Sequence, residues 1–223
     1  MSALSELPGQ DQPLGSYTGK VPWPERGVYF FREPGETSAA AGGTDRIVRV
    51  GTHAVSVGAK STLWQRLRTH RGSRTGSGNH RGSIFRLHVG AALLNRDAET
   101  LPTWGQGQSA PQAIRAGERS HEAAVSTYIG SMRILWVSVP DDPAPTSQRS
   151  FIERNAIALL SNHLAPADPP SAQWLGRFAA REEIRQSGLW NLNYVRDACD
   201  PAFLDVLEAR IAAMTRAPAA SKI

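Results

Sequence analysis

Apolar residues in this chain recur at two spacings. Val28-Tyr29-Phe30-Phe31, introduced by Gly27, and Ile47-Val48-Arg49-Val50 are short β-branched and aromatic runs, joined by a Gly/Ala/Thr-rich stretch containing Gly42-Gly43. They predict a β-hairpin with a long loop. A third run over residues 134–139, stopped by Pro140, predicts a buried strand. Elsewhere the spacing is helical. Leu63 and Leu67 lie one turn apart behind a cap at Ser61 or Thr62, which predicts a helix over residues 63–70 with Arg66 and His70 on an adjoining face. Further helices are expected over about 84–94 and 118–131, from Ser147 or Ser150 to His163, and over about 174–186 and 201–215.

Between these elements the chain is polar or rich in breakers. Residues 1–20 mix Pro, Gly, Ser and Gln without periodicity and predict a loosely held N-terminal arm. Residues 71–82 have almost no apolar content and predict a flexible basic loop. The expected organisation is a core over 21–163 with an insertion at about 71–133, a helical extension over 164–216 and a frayed tail over 217–223. The order strand, strand, helix, insertion, strand, helix is a β-β-α-β-α arrangement: an α+β fold on a small three-stranded mixed or antiparallel sheet.

Composition narrows the classes. The chain has 223 residues, 40% hydrophobic and 20% charged, enough for one domain with a real core. Cys199 is its one cysteine, so neither an internal disulfide nor a cysteine-based zinc site is available. The longest apolar runs are far short of the roughly 20 residues that cross a bilayer, and no secretory signal pattern opens the chain. A cytoplasmic protein without a membrane partner is expected.

Charge is unevenly spread. The net charge is +5, yet the window 46–96 holds ten basic residues (Arg46, Arg49, Lys60, Arg66, Arg68, Arg71, Arg74, Arg81, Arg86 and Arg96) and no acid, so it carries +10 and the remainder −5. His53, His70, His80 and His88 lie in the same window. Dense like charge dominated by arginine suits a polyanion, which makes nucleic acid the leading partner, with Arg49, Lys60, Arg68, Arg71, Arg74, His80, Arg81 and Arg86 as candidate contacts. A merely solvated cationic face is the alternative.

Four features taken in order narrow the reading further. Gly27-Val28-Tyr29 lies in a first strand and Arg49-Val50-Gly51 closes a second; Leu63-x-x-Arg66-Leu67-x-x-His70 lies on the next helix and Glu153 on a helix after the third strand. Together they resemble the GIY-YIG nucleases over about residues 25–70 and 133–163. The resemblance implies metal-assisted hydrolysis of a nucleic-acid backbone, on DNA, in the manner of restriction-type members, with a homodimer where both strands are cut. Tyr29 would orient and deprotonate the attacking water, which for a phenol of ordinary pKa near 10 needs cations close by. Arg66 would meet the phosphate oxygens as charge builds. His70 would bond the tyrosine, the water or a neighbouring phosphate, and Glu153 would hold one Mg²⁺ or Mn²⁺.

The departures from the family pattern carry equal weight. Arg49 stands where the second motif tyrosine belongs, and Thr52 and His53 stand where a lysine often follows. Either Tyr29 or His53 then serves as base, or the protein binds without cleaving; Arg49 is itself a candidate phosphate contact. Ser150 and Glu153 also have the spacing of a capping box, which would satisfy helix amides without a metal, whereas Ile157 and Leu160 on the same face would put the carboxylate at the core's edge. A literal Tyr128-Ile129-Gly130 falls inside a helical pattern and is assigned to packing. The alternatives to a DNA endonuclease are a catalytically impaired binding module of the same fold and an RNA-directed nuclease.

Overall fold

The computed structural model describes the chain apart from residues 1, 8, 74 and 217–223, so the tail and Arg74 lie outside the described residues. Strands β2 (Gly27–Thr37) and β3 (Asp45–Gly51) form the expected antiparallel hairpin, with Tyr29 opposite Gly51 and Phe30 opposite Val50. Strand β4 (Arg133–Ser138) pairs antiparallel with the other edge of β2.

The sheet has four strands, in the order β1-β4-β2-β3, and the added strand corrects the expected three. It is β1, the two residues Gln12–Pro13, which pair with β4. Nor is the N-terminal arm loose. The short helix α1 (Ser2–Ser5) buries Leu4, Leu14 and Tyr17 are buried, and the Gln10 amide bonds both the N–H and the carbonyl of Trp136 at 2.9 Å. The open edge of β4 offers backbone donors and acceptors, and they draw in a segment whose composition carries no periodic signal.

Helices cover both faces of the sheet, which explains why Val28-Tyr29-Phe30-Phe31 is apolar throughout instead of alternating with polar residues. Tyr29, Phe31, Val48 and Trp136 pack in one cluster with residues of α2 (Leu63–Arg71), α3 (Ile84–Arg96) and α5 (Arg119–Ser131). Val28, Phe30, Val50, Leu135 and Val137 pack in the other with α6 (Gln148–Leu160) and α8 (Phe203–Arg216). Tyr128 and Ile129 of the second Tyr-Ile-Gly triplet lie on α5, where Ile129 is buried and Tyr128 bonds the Glu33 carboxylate.

The expected helix over 174–186 is broken. A 3₁₀ turn at Leu175–Phe178 precedes α7 (Glu182–Ser187), because Trp174 is fully buried with its ring folded over Gly176, where a Cβ would collide with it. The C-terminal extension then closes the outer edge of β3. The Trp190 N–H donates to the Val48 carbonyl at 2.7 Å, and the Asn191 amide pairs with both backbone groups of Val50 at 3.1 and 2.8 Å.

Candidate active site

The site is built where β3 ends. Gly51 faces Tyr29 across the hairpin, and a Cβ at Gly51 would fall on the Tyr29 hydroxyl, so only glycine lets the phenol lie across the strand. One residue on, the Thr52 N–H donates to Glu153 Oε1 at 3.0 Å, while the Thr52 hydroxyl donates to the Gly27 carbonyl at 2.8 Å. Gly27 is equally constrained, since a Cβ there would strike the Val137 carbonyl. The phenol and the carboxylate therefore flank the same two residues, Gly51 and Thr52.

The capping-box reading of Glu153 fails. Ser147 caps α6 by accepting the Ser150 N–H, and Glu153 bonds the β3 terminus instead of its own helix. The carboxylate is half-buried, has one oxygen on the Thr52 amide and forms no ion pair among the described residues. Burial raises its pKa, opposed by Arg49, the Thr52 amide, Arg66 and Arg149.

Arg49 sits at the middle of the group. Its buried guanidinium donates to the Trp190 carbonyl at 2.6 Å, lies over the Phe85 ring at 4.6 Å and interacts with Tyr29, Arg66 and Glu153. Burial lowers its pKa, and its Nε has no hydrogen-bond partner among the described residues. Arg66, on α2 behind the Thr62 capping box, is half-buried, and its side chain makes no hydrogen bond or ion pair among the described residues. His70, one turn further, is fully buried, with Nε2 at 2.8 Å from the Tyr29 hydroxyl and Nδ1 at 2.7 Å from Ser83 Oγ. Burial holds its pKa well below the ordinary histidine value, reinforced by Arg49, Arg66 and Arg86. Tyr29 is itself 1% exposed.

His53 does not suit the role of base. It is buried, with Nε2 at 3.2 Å from the Glu25 carbonyl and Nδ1 unpartnered, and burial followed by nearby cations brings its pKa down to about 4. A nitrogen that weakly basic gains little by taking a proton from water.

Most of the proposed nucleic-acid contacts are turned inward. Arg86 is fully buried and bonds the Glu122 carboxylate, the His70 carbonyl at 3.0 Å and Ser126 Oγ at 3.0 Å. His80 donates its backbone N–H to Glu122 at 2.6 Å, Arg81 grips Glu118 at 2.6 and 2.8 Å, and Arg71 bonds the Tyr17 carbonyl. The acids come from α5 and the residue before it, outside the acid-free window, so folding neutralises a charge block that looks uniform along the chain. Lys60 and Arg68 remain exposed without a partner among the described residues. These inward-facing residues of the insertion pack behind the site, while its Arg115 and Arg119 are exposed. Ser83, the cap of α3, was not among the sequence candidates, although a serine directly before a helical pattern is a readable signal.

A family model described as GIY-YIG domain matches residues 1–217. The chain belongs to the GIY-YIG family. No curated protein and no solved structure matched it. GIY-YIG proteins are endonucleases that generally work with divalent metal ions, so a nuclease-type hydrolase acting on nucleic acid is the activity the family implies. The GIY-YIG match extends over the arm, the insertion and the C-terminal extension, in keeping with their packing into one body. Among the described residues no helix is long and apolar enough to cross a membrane, and no cluster of three or more His, Cys, Asp or Glu side chains could hold a metal by itself. One carboxylate with an uncommitted oxygen still fits a hard cation such as Mg²⁺, which takes its other ligands from water and phosphate.

Proposed function

We propose that this protein is a divalent-metal-dependent endonuclease that hydrolyses phosphodiester bonds of DNA, with a role in restriction or genome defence. The observation that carries the reading is the convergence on Arg49 of three distant segments: Tyr29 from β2, Arg66 from α2 and Glu153 from α6. Among the described residues the Arg66 guanidinium is unpaired and the Glu153 carboxylate has no ion pair, which supports a role for both towards a ligand.

In this reading Tyr29 orients the attacking water and accepts its proton. Arg66, whose side chain lacks a partner among the described residues, binds the non-bridging oxygens as charge builds on them, and Arg49 adds a second, immobile cation in place of the second motif tyrosine. Glu153 would hold the metal, which when bound neutralises charge on the departing oxygen. Among the described residues one such site is found, so cutting both strands calls for two copies or two successive events.

The enclosure of Tyr29 favours a second reading, a binding module of the same fold that has lost turnover. For Tyr29 to act, substrate binding must open the cover over its oxygen. Supercoiled plasmid and short duplex RNA, each incubated with Mg²⁺ or with EDTA, separate the cases. The expected outcome is Mg²⁺-dependent nicking of the plasmid, abolished in Glu153→Ala with affinity retained. Binding without nicking at any enzyme excess would leave the module, and cleavage of the RNA alone would transfer the activity to RNA.

A further inference from the structure

Tyr29 and His70 share one hydrogen bond, and each of its two atoms can be donor or acceptor, so the chemistry turns on where the protons sit. The other side of the imidazole decides it. Ser83 Oγ is 2.7 Å from His70 Nδ1 and also accepts the Arg86 N–H at 3.2 Å, closing the N-terminus of α3. Ser83 is 2% exposed, and among the described residues Nδ1 is the single partner able to accept its hydroxyl proton, because the Arg86 amide is itself a donor.

We infer that Ser83 is a positioning residue that fixes the tautomer of His70: its hydroxyl donates to Nδ1, the neutral imidazole carries its proton on Nε2, and Nε2–H donates to the Tyr29 oxygen. His70 is then not the group that takes the tyrosine's proton. The opposite arrangement, Tyr29 O–H to Nε2 and Nδ1–H to Ser83, strands the serine proton in a dry pocket already occupied by two donors. Either way one hydroxyl proton lacks a protein acceptor. An aliphatic hydroxyl is a far weaker acid than a phenol, so the inferred arrangement leaves the spare proton on the more acidic of the two groups.

The surroundings agree. The charged groups facing the imidazole are Arg49 from β3, Arg66 from its own helix and Arg86 from α3, all cations, which keep it neutral. The Arg49 guanidinium, held on the Trp190 carbonyl, also interacts with Tyr29. With His70 donating to it, the oxygen keeps a lone pair for a proton from the attacking water once its own proton has left, and the imidazole keeps its proton throughout. Arg86 ties the two halves together by bonding the His70 carbonyl with its side chain and Ser83 Oγ with its backbone.

The catalytic consequence rests on Tyr29 being the base, as proposed above; the proton assignment does not. The full chain labelled with ¹⁵N in histidine gives a long-range ¹H–¹⁵N spectrum in which the His70 ring is assigned by its response to Tyr29→Phe. The expected pattern is a bare Nδ1 and a protonated Nε2 near neutral pH, and the reverse pattern overturns the inference. Ser83→Asp keeps an acceptor for the Arg86 amide but can only accept from Nδ1, so it should reverse the tautomer and slow plasmid nicking at least tenfold. A reversed tautomer with an unchanged rate would likewise overturn the role assigned to Ser83. If Ser83→Asp does not fold, the wild-type spectrum decides alone. If the wild type cleaves nothing, the functional reading falls while the spectrum still tests the tautomer.

Discussion

At the scale of the residue, the end of β3 leaves little freedom. The Tyr29 hydroxyl occupies the space a side chain at position 51 would need. Gly51→Ala should therefore displace the phenol from His70, lowering cleavage by at least an order of magnitude and stability by about 1–3 kcal/mol, the range for overpacking a filled core. Activity and denaturant midpoint measured on one preparation check both halves. Arg66 behaves differently because its side chain has no hydrogen-bond or ion-pair partner among the described residues to lose. Arg66→Ala should leave the melting midpoint within a degree or two and affinity nearly unchanged, while single-turnover cleavage falls by orders of magnitude. Equal losses in affinity and rate would make Arg66 a docking residue instead.

At the scale of the element, a run of like charge is not a surface. Arg81 and Arg86 lie in the most basic part of the chain, yet α5 and the residue before it bring Glu118 and Glu122 against them. Replacing Arg86 by Ala would leave the buried Glu122 carboxylate without its closest cation, a change expected to cost about 3–5 kcal/mol. Lys60 and Arg68, in contrast, point out from the approach to α2 and from α2 itself. The double variant Lys60→Ala/Arg68→Ala should flatten the salt dependence of DNA binding by about two phosphate contacts, whereas Arg81→Ala should leave the slope unchanged and lower stability. Binding isotherms at several salt concentrations distinguish these outcomes.

At the scale of the whole molecule, burial of histidines couples stability to pH. His53 and His88 are each brought from the ordinary value near 6.5 to about 4, mainly by burial. Between those values the unfolded chain binds protons that the folded chain refuses, so their contribution is fully present above about pH 6.5 and is lost as pH falls towards 4. Glu33 and Glu153 work in the opposite sense, because burial raises their pKa and protonation relieves it. The double variant His53→Asn/His88→Asn removes the first contribution alone. Its stability should decline less steeply than that of the wild type between pH 6.5 and 4, by an amount on the order of 1–3 kcal/mol. Denaturant titrations at half-unit pH steps provide the measurement.

The hairpin, the third strand, α2 with its Thr62 cap and α6 were legible because local rules govern them. Runs of β-branched and aromatic residues, a leucine pair one turn apart and a serine before a periodic stretch identify their own elements. Tyr29, Arg66, His70 and Glu153 were legible as candidates for the same reason, by their order on those elements. The strand at Gln12–Pro13, the internal pairing of the basic window, the attachment of Glu153 to Thr52 and the contact of Ser83 with His70 were not. Each depends on residues tens to more than a hundred positions apart, and whether a charge or an open strand edge finds a partner is settled by which segments folding brings together. Sequence by itself determined most of the elements that form and which side chains are candidates for chemistry on a phosphodiester. The tertiary structure alone decided which of those side chains are already engaged, because hydrogen bonds and ion pairs are satisfied in space, with no regard for distance along the chain.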